Sequence, residues 1–369
     1  MLKVHLKKTV DDSYPVIIES GLLKRLPRLL ANQFPASRYV VMCGTTTKKL
    51  FGEKISSHLR TSGMKTLLLS VPDGEHSKTQ KYKTFLEEAM LQAGCDRNTL
   101  ILAVGGGVVG DLAGFVAATY MRGIRYIQIP TTLLAMVDSS VGGKTAIDTA
   151  HGKNTIGAFW QPQAVVIDPT CLKKLSLRQM KNGMIEGVKM FMTSDRASFV
   201  FAEKNLERAL SGDAASLKTI IERAIRIKAR VVAEDEREGS QRMILNFGHT
   251  VGHALETLSG YRLLHGEAIA LGIAVEARIA YSRGILSETD LKKVLAMLRR
   301  LGTEPKTLKK WNAHSVVQHT RGDKKSVGGR AQYVLLKKIG AVQMDKKKYA
   351  HTVPEKEVIS ALRKAALGV

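Results

Sequence analysis

The hydrophobic pattern changes once along the chain, near residues 170 to 180, and this change constrains the fold more than any other feature. Before it, short apolar runs alternate with helical stretches, and the runs cover residues 39–42, 66–69, 100–104, 126–129 and 164–167. Uninterrupted apolar strands separated by helices are typical of a parallel sheet that is covered on both faces. After the change, helices are predicted over residues 216–234, 249–258, 267–282 and 289–301, with Gly284 and Gly302 as stops.

The length of the chain, 369 residues, exceeds what one hydrophobic core supports, so two domains are expected. We predict an α/β domain with a Rossmann-like parallel sheet over residues 1–175, followed by an all-α domain over residues 176–369. The sequence has no apolar run long enough to cross a bilayer and no apolar signal core, which favours a cytoplasmic protein without a membrane partner. Three widely spaced cysteines argue against a disulfide framework.

The formal net charge of +24 is the outlying value in the composition and suggests nucleic-acid binding as one interpretation. However, the basic residues are spread along the chain, and only 5% of all residues are aromatic, too few for a base-stacking platform. The sequence contains neither a zinc-finger nor an RNA-recognition signature. We therefore favour a basic surface that attracts a small anionic substrate over a nucleic-acid partner.

Three of the 10 histidines fall close together in the sequence, at His249, His253 and His265. The first two are four residues apart and project from one face of a helix, and a turn at residues 260–262 can return the third to that side. Neutral imidazoles suit Zn²⁺, and the metalloprotease motif is excluded because no glutamate follows His249. The cluster predicts a divalent-metal site, and a helix with an exposed polar face is the alternative.

Two glycine-rich stretches predict anion binding. Residues 105–110 satisfy Gly-x-Gly-x-x-Gly between a strand and a predicted helix, an arrangement that brings backbone N–H groups against a pyrophosphate. At least two strands precede this motif, which is unusual for dinucleotide binding, so glycines that only permit tight packing are the alternative. The turn at Gly143 and Lys144, followed by Lys153 and Asn154, suits a phosphorylated or carboxylated small molecule, or else is an exposed basic loop.

Taken in order, the motifs resemble the 3-dehydroquinate synthase family over nearly the full length of the chain. The segments that carry this resemblance are residues 72–75, 105–111, 129–135, 137–145, 152–154, 186–189, 245–267 and 323–325. The resemblance implies an enzyme of the shikimate pathway, and so of chorismate and aromatic amino acid biosynthesis. Its implied reaction converts 3-deoxy-D-arabino-heptulosonate 7-phosphate to 3-dehydroquinate and phosphate through transient oxidation by NAD, phosphate elimination, reduction and intramolecular aldol closure.

The resemblance also implies roles for individual residues, with NAD and Zn²⁺, or Co²⁺, as cofactors. The implied metal ligands are Glu186, His249 and His265, and the implied catalytic residues are His253, Lys144, Lys189 and Asn154. The implied substrate-binding residues are Arg122, Asp138, Lys144, Asn154, Lys189, Lys228, Arg242, Asn246, His253 and one of Lys324 and Lys325. The implied NAD-binding residues are Asp73, Glu75, Lys78, Gly106, Gly107, Val108, Asp111, Thr131, Thr132, Lys144, Lys153, Cys171 and Lys174. A homodimer is implied as well, in which Arg122 reaches a phosphate across the interface.

Some expectations stay open at this point. Arg242 and Asn246 are four residues apart, one helical turn before His249, so we expect them to share its face. Gly44 and Lys174 lie in segments that depart from the family's usual pattern near the adenosine, and we expect them to alter NAD affinity. The alternative enzymes are another sugar-phosphate cyclase of the same fold and a metal-dependent alcohol dehydrogenase.

Overall fold

The computed structural model describes residues 3–5, 11–321, 330–346 and 348–367, which pack as two compact units. The first unit comprises Met1–Pro130 and Gly143–Asp168, and the second comprises Thr131–Gly142 and Pro169–Val369. The short segment Thr131–Gly142 therefore packs with the C-terminal residues. The two units are for this reason not separated by one position in the sequence. The domain boundary after residue 175 stays a prediction.

The first unit is an α/β structure. Its strands are β1 (Val16–Ile18), β2 (Tyr39–Gly44), β3 (Thr66–Val71), β4 (Leu100–Gly105), β5 (Arg125–Pro130), β6 (Lys144–Thr149), β7 (Gly152–Phe159) and β8 (Ala164–Ile167). Its helices are α1 (Leu26–Gln33), α2 (Thr45–Thr47), α3 (Glu53–Thr61), α4 (Gln80–Gln92) and α5 (Gly107–Thr119). Six strands form one parallel sheet in the order β1-β8-β5-β4-β2-β3, and β6 pairs with β7 as an antiparallel hairpin.

The strands β2, β4, β5 and β8 are buried on both faces of the parallel sheet, as their apolar runs predict. Val40 and Ile101 pack with α4 and α5 on one face, while Val41 and Leu102 pack with α1 and α3 on the other. The chain adds β3 on one side of β2 and then β4 on the other, so the strand order reverses between β2 and β4. Open α/β sheets bind ligands at the carboxyl ends of the strands beside such a reversal. The glycine-rich stretch lies there, because β4 ends at Gly105 and α5 begins at Gly107.

The second unit is mostly helical, as predicted. Its helices are α6 (Leu177–Ser194), α7 (Arg196–Leu210), α8 (Ala214–Glu234), α9 (His249–Leu258), α10 (His265–Ser282), α11 (Glu288–Arg300), α12 (Ala313–Thr320) and α13 (Glu355–Leu367). Four short strands, which the sequence pattern did not predict, form two ribbons: β9 (Gln332–Tyr333) with β12 (His351–Thr352), and β10 (Leu336–Lys338) with β11 (Ala341–Val342). Among the described residues, no helix combines the length and apolar character that crossing a membrane requires.

The most buried helix of the second unit is α10, which packs against α6, α9, α11 and α13. Its predicted stop is confirmed, since it ends at Ser282 and Gly284 follows with a φ of 69°. Glycine ends helices in this left-handed conformation because it has no Cβ to clash with the backbone. The other end of α10 begins at His265, one of the three clustered histidines.

Candidate metal centre and active site

Three imidazoles meet where α9 begins and α10 begins. His249 is the first residue of α9, His253 lies one turn farther along the same face, and His265 opens α10. Between the helices, Gly260 and Tyr261 adopt positive φ values of 59° and 58°, which reverses the chain. The ring centroids of His249 lie 5.2 Å from those of His253 and 5.4 Å from those of His265. The predicted clustering is therefore confirmed.

Glu186 of α6 completes a set of three groups that can hold one cation. Ligand atoms of Glu186, His249 and His265 all lie within 4.8 Å of one another. Glu186 is fully buried, and its Oε2 accepts a hydrogen bond of 2.5 Å from Lys189 Nζ. Its Oε1 has no hydrogen-bond partner among the described residues and lies 3.7 Å from His265 Nε2, beyond hydrogen-bond range. A buried carboxylate oxygen without a partner is costly, and a bound cation would remove that cost.

The rings of His249 and His265 are each held by a hydrogen bond at Nδ1. Nδ1 of His249 lies 3.3 Å from the carbonyl oxygen of Phe247, and Nδ1 of His265 lies 3.4 Å from Oε1 of the buried Glu256. When each Nδ1 donates its proton, each Nε2 presents a lone pair, as in many metal sites. Burial disfavours a charged ring, but the hydrogen bond to Glu256 and the charge of Glu186 raise the pKa of His265 above its ordinary value.

Glu256 is a residue that the sequence reasoning missed. It lies three residues after His253, so the spacing along α9 could have identified it. His253, Glu256 and His265 form a second set of ligand atoms within 4.8 Å of one another. The set with Glu186 is the better cation site, because Glu256 already accepts from His265 Nδ1 whereas Oε1 of Glu186 is uncompensated.

A buried ion pair lies in the same unit. Lys228 Nζ of α8 donates to Asp138 Oδ1 at 2.6 Å and to the carbonyl oxygen of Asp138 at 2.5 Å. Burial opposes ionisation of Asp138, but the ammonium groups of Lys228 and Lys189 more than offset it and lower the pKa of this carboxyl. Burial likewise lowers the pKa of Lys228, against the pull of Asp138. Asp138, Lys189 and Lys228, which are three of the predicted substrate-binding residues, therefore lie close together.

The expectation that Arg242 and Asn246 share a helix face with His249 is wrong. Residues Gln241–Asn246 form a 3-10 helix, and Phe247 and Gly248 interrupt the chain before α9 begins. A 3-10 helix has three residues per turn, so positions four apart do not align. Arg242 is nevertheless buried and donates to the carbonyl oxygens of Glu236 and Gly142, while Asn246 Nδ2 donates to Glu238 Oε1 at 2.7 Å.

The first unit brings together another polar group of predicted residues. Lys78 is buried, and its Nζ contacts Asp111 Oδ2 at 2.5 Å, Asn154 Oδ1, and Glu75 Oε1 at 3.9 Å. Burial disfavours the charged ammonium, but Asp111 and Glu75 raise the pKa of Lys78 above its ordinary value. Lys153 lies 3.7 Å from Glu75 and extends the group.

An acidic side chain from the turn after β3 lies beside the end of β2, where the sequence departs from the family pattern. A Cβ on Gly44 would overlap Asp73 Oδ1, so any other residue there would require this carboxylate to rotate away. Asp73 Oδ2 accepts from the backbone N–H of Thr46 at 2.9 Å and from its hydroxyl at 2.6 Å. Gly106 precedes α5, and Gly107 and Val108 begin it.

The remaining predicted residues are placed as follows. In the first unit, Lys144 opens β6 with an exposed side chain, and Arg122 is exposed with a φ of 67°. In the second unit, Thr131 is buried, Thr132 Oγ1 accepts from Ala135 N, Cys171 is buried, and Lys174 is exposed. Lys324 and Lys325 lie outside the described residues.

Comparisons with known proteins identify the family of the chain. Family models described as 3-dehydroquinate synthase N-terminal and 3-dehydroquinate synthase C-terminal match residues 68–182 and 183–326. A 3-dehydroquinate synthase of Desulforamulus reducens is 41% identical over 351 residues, which cover 95% of this chain and 96% of that protein.

Two solved structures are similar over almost the whole chain. The 2-epi-5-epi-valiolone synthase of Streptomyces hygroscopicus subsp. jinggangensis, with NAD⁺ and Zn²⁺ bound, superposes with a TM-score of 0.88 at 26% identity and covers 100% of both chains. A 2-deoxy-scyllo-inosose synthase complexed with carbaglucose-6-phosphate, NAD⁺ and Co²⁺ gives 0.87 at 27% identity and covers 95% of this chain and 96% of that one. With both halves of the sequence matched and a near full-length relative above 40% identity, this chain belongs to the 3-dehydroquinate synthase family.

Proposed function

We propose that this chain is a 3-dehydroquinate synthase that uses NAD and one divalent metal ion to convert 3-deoxy-D-arabino-heptulosonate 7-phosphate to 3-dehydroquinate and phosphate. The observation that carries the proposal is the buried Glu186 carboxylate facing His249 and His265. As a phosphate-eliminating carbon–oxygen lyase, the enzyme would serve the shikimate pathway. We further propose a homodimer located in the cytoplasm.

The residues present fit a divalent cation. Two imidazoles and one carboxylate are a donor set that Zn²⁺ accepts in catalytic sites, where it leaves a position for substrate. The oxygen of Glu186 that lacks a hydrogen-bond partner among the described residues is the atom that such an ion would satisfy. Lys189 fixes the other oxygen, and Glu256 fixes the ring of His265. The similar synthases with Zn²⁺ or Co²⁺ bound support the same assignment.

The first unit fits a dinucleotide. The start of α5, where the first N–H groups of a helix have no acceptor within the helix, lies at the reversal of strand order, a position that favours a pyrophosphate. We assign Gly106, Gly107 and Val108 to this contact. The other NAD-binding residues proposed in this unit are Asp73, Glu75, Lys78, Asp111, Lys144 and Lys153. Thr131, Thr132, Cys171 and Lys174 of the second unit are proposed from the family resemblance.

The two cofactors supply different chemistry when bound: the cation polarises a substrate hydroxyl, and the nicotinamide accepts a hydride and later returns it. The chain's own residues bind and orient the substrate. Lys228 and Arg242 are buried cations suited to its carboxylate or phosphate, and Lys144 and Asn154 are proposed to contact it as well. His253, beside the metal set, is assigned to holding or moving a proton at a ring nitrogen.

A phosphate-release assay tests the proposal. Purified protein is incubated with the heptulosonate phosphate, with and without NAD and a chelator, while phosphate and NADH absorbance are followed. We expect phosphate release that requires both cofactors, with no net NADH, because the hydride is returned. Stoichiometric NADH would instead indicate an alcohol dehydrogenase. Turnover of a different sugar phosphate in preference to this one would indicate another cyclase.

A further inference from the structure

The N-terminus of α10, where His265 lies, has no ordinary cap. The preceding residue is Leu264, whose side chain contains no oxygen to accept from the first N–H groups of the helix. Two other side chains take this role. Glu267 Oε2 accepts from the N–H of Leu264 at 2.9 Å, and Asn182 Oδ1 accepts from the N–H of Gly266 at 2.6 Å. Part of the cap is therefore supplied by α6, a different helix.

The bond from Gly266 to Asn182 joins the two helices that carry Glu186 and His265. Asn182 lies one helical turn before Glu186 on α6, and Gly266 directly follows His265 on α10. Both Asn182 and Gly266 are buried. A Cβ on Gly266 would overlap the carbonyl oxygen of Asn182, so the helices meet at the closest approach that glycine allows.

The orientation of the Asn182 amide is set by its own helix. Its Nδ2 donates to Gln179 Oε1 at 3.3 Å, which leaves Oδ1 facing Gly266. A substitution that removes the amide would leave the N–H of Gly266 buried without this acceptor. Loss of a cap weakens the first turn of a helix, and His265 lies in that turn.

We propose that Asn182 is a positioning residue for the metal centre, holding His265 at the separation from Glu186 that a single divalent ion requires. The inference rests on the metal site of the proposed function and adds a residue that does not itself ligate the ion. Glu186 Oε1 and His265 Nε2 are 3.7 Å apart. Two ligands of a tetrahedral Zn²⁺ site with ordinary bond lengths are about 3.4 Å apart. A small shift of the α10 N-terminus would therefore move the pair out of range.

The test measures metal binding instead of turnover. Metal-free wild-type protein, Asn182→Ala and Asn182→Asp are titrated with Zn²⁺ against a chromogenic chelator, and the visible spectrum of each Co²⁺ form is recorded. We expect Asn182→Ala to bind Zn²⁺ about tenfold more weakly, which is the lower end of the loss in metal affinity seen when a residue that orients a ligand is replaced. The Co²⁺ form of this variant should have an altered visible spectrum. Asn182→Asp retains the acceptor for Gly266 and is expected to keep the wild-type spectrum.

The matched control is Asn205→Ala. Asn205 lies on α7, and its Nδ2 donates to the carbonyl oxygen of Phe201 within that helix, so its loss should leave Zn²⁺ affinity unchanged. Thermal unfolding of the metal-free proteins separates loss of folded protein from loss of metal affinity. If Asn182→Ala binds Zn²⁺ as tightly as the wild type, the positioning role of Asn182 is overturned. The same holds if the Co²⁺ spectrum of Asn182→Asp matches that of Asn182→Ala. Either result leaves the metal site itself in place. Failure of the unsubstituted chain to bind Zn²⁺ would instead overturn the metal site and the inference with it.

Discussion

His249 and His253 are neighbours on one helix face, yet we expect different consequences when each is replaced. His249→Ala removes one of the three groups around the proposed cation and should abolish stoichiometric metal binding. His253→Ala should retain the metal and lose turnover by roughly a hundredfold or more, as is typical when a general acid or base is removed. Bound metal and phosphate release are measured on the same preparations.

His319→Ala is the control for the histidine variants, because His319 is exposed on α12 and belongs to neither set of metal-ligating groups. It should retain both metal and activity. Equal loss of metal in His249→Ala and His253→Ala would refute the division of roles.

Asp235 illustrates a single carboxylate that organises a loop. It accepts hydrogen bonds from the backbone N–H groups of Gly239, Ser240 and Arg242. Burial opposes its ionisation, but these bonds more than offset that effect and lower its pKa. Because the folded-state pKa is lowered, the stabilisation is present above the unfolded value of about 3.9 and is lost as the pH falls through the folded value.

Asp235→Asn should therefore reduce the free energy of unfolding at neutral pH by about 1 kcal/mol, and its deficit should shrink as the medium is acidified. Urea unfolding across a pH series measures both quantities. Asp12→Asn, at an exposed position, is the comparison. A deficit that stays constant down to the acid limit would contradict the role assigned to the ionised carboxylate.

Distance along the sequence decided which contacts of the site could be predicted. His249, His253 and His265 were predicted to cluster because helical spacing and one turn bring them together. Glu186 was identified through family resemblance, since no local pattern relates it to residues more than sixty positions later. The contacts of Asn182 with Gly266 and of Lys228 with Asp138 depend on tertiary packing and could not be predicted from spacing.

Among the helices, α9 and α10 pack so closely that glycine is required between them. A Cβ on Gly272 would overlap the carbonyl oxygen of Gly248, whereas a Cβ on Gly187 of α6 would meet its nearest neighbour at 3.8 Å. We expect Gly272→Ala to lower the free energy of unfolding by about 1 to 3 kcal/mol, because the helices must separate. Gly187→Ala should be neutral or stabilising by about 0.5 to 1 kcal/mol, because alanine favours the helix.

Denaturant unfolding of the two glycine variants provides the comparison. Each substitution adds one methyl group within a helix. A difference in stability between the two variants therefore reports the space available to the methyl group at each position. Gly272→Ala as stable as the unsubstituted chain would show that α9 and α10 tolerate a wider separation.

The buried strands could be predicted from the sequence, but the exposed hairpin and the 3-10 helix could not. The five apolar runs became β2, β3, β4, β5 and β8. Burial on both faces leaves a continuous hydrophobic signal in four of them, and the edge strand β3 packs its half-buried leucines against the same cores. The hairpin β6–β7 was not predicted, since β7 is largely exposed and offers no such run. The 3-10 helix at Gln241–Asn246 was also missed, because its stability depends on the loop held by Asp235.

The predicted homodimer can be tested through Arg122. If this residue acts on the partner's substrate, Arg122→Ala and His249→Ala chains are each inactive alone, but a mixed dimer contains one complete site. Co-refolding equal amounts should restore roughly a quarter of wild-type activity, because half of the dimers are mixed and each has one working site of two. Phosphate release and light scattering are measured together.

Self-mixing of each variant is the control for the complementation experiment. Light scattering should give twice the chain mass of 40.4 kDa in every sample. Mixed dimers without activity would show that Arg122 acts within its own chain, and a monomer would remove the basis for the exchange.

The two-part organisation was predicted because the hydrophobic pattern changes near residue 175. The assignment of Thr131–Gly142 to the second unit was not, since this segment is short and continues the pattern of the first. The charge of +24 gave only a preference for anionic ligands, because net charge does not specify a partner.

The catalytic role of the ion is tested by titrating the metal-free chain with Zn²⁺ while phosphate release is measured at saturating NAD and heptulosonate phosphate. We predict that activity rises linearly and reaches a plateau at one ion per chain, and that Glu186→Gln reaches no plateau over the same range. Full activity in the verified metal-free chain, or an unchanged titration for Glu186→Gln, would contradict the assignment of Glu186, His249 and His265 as the site of the catalytic ion.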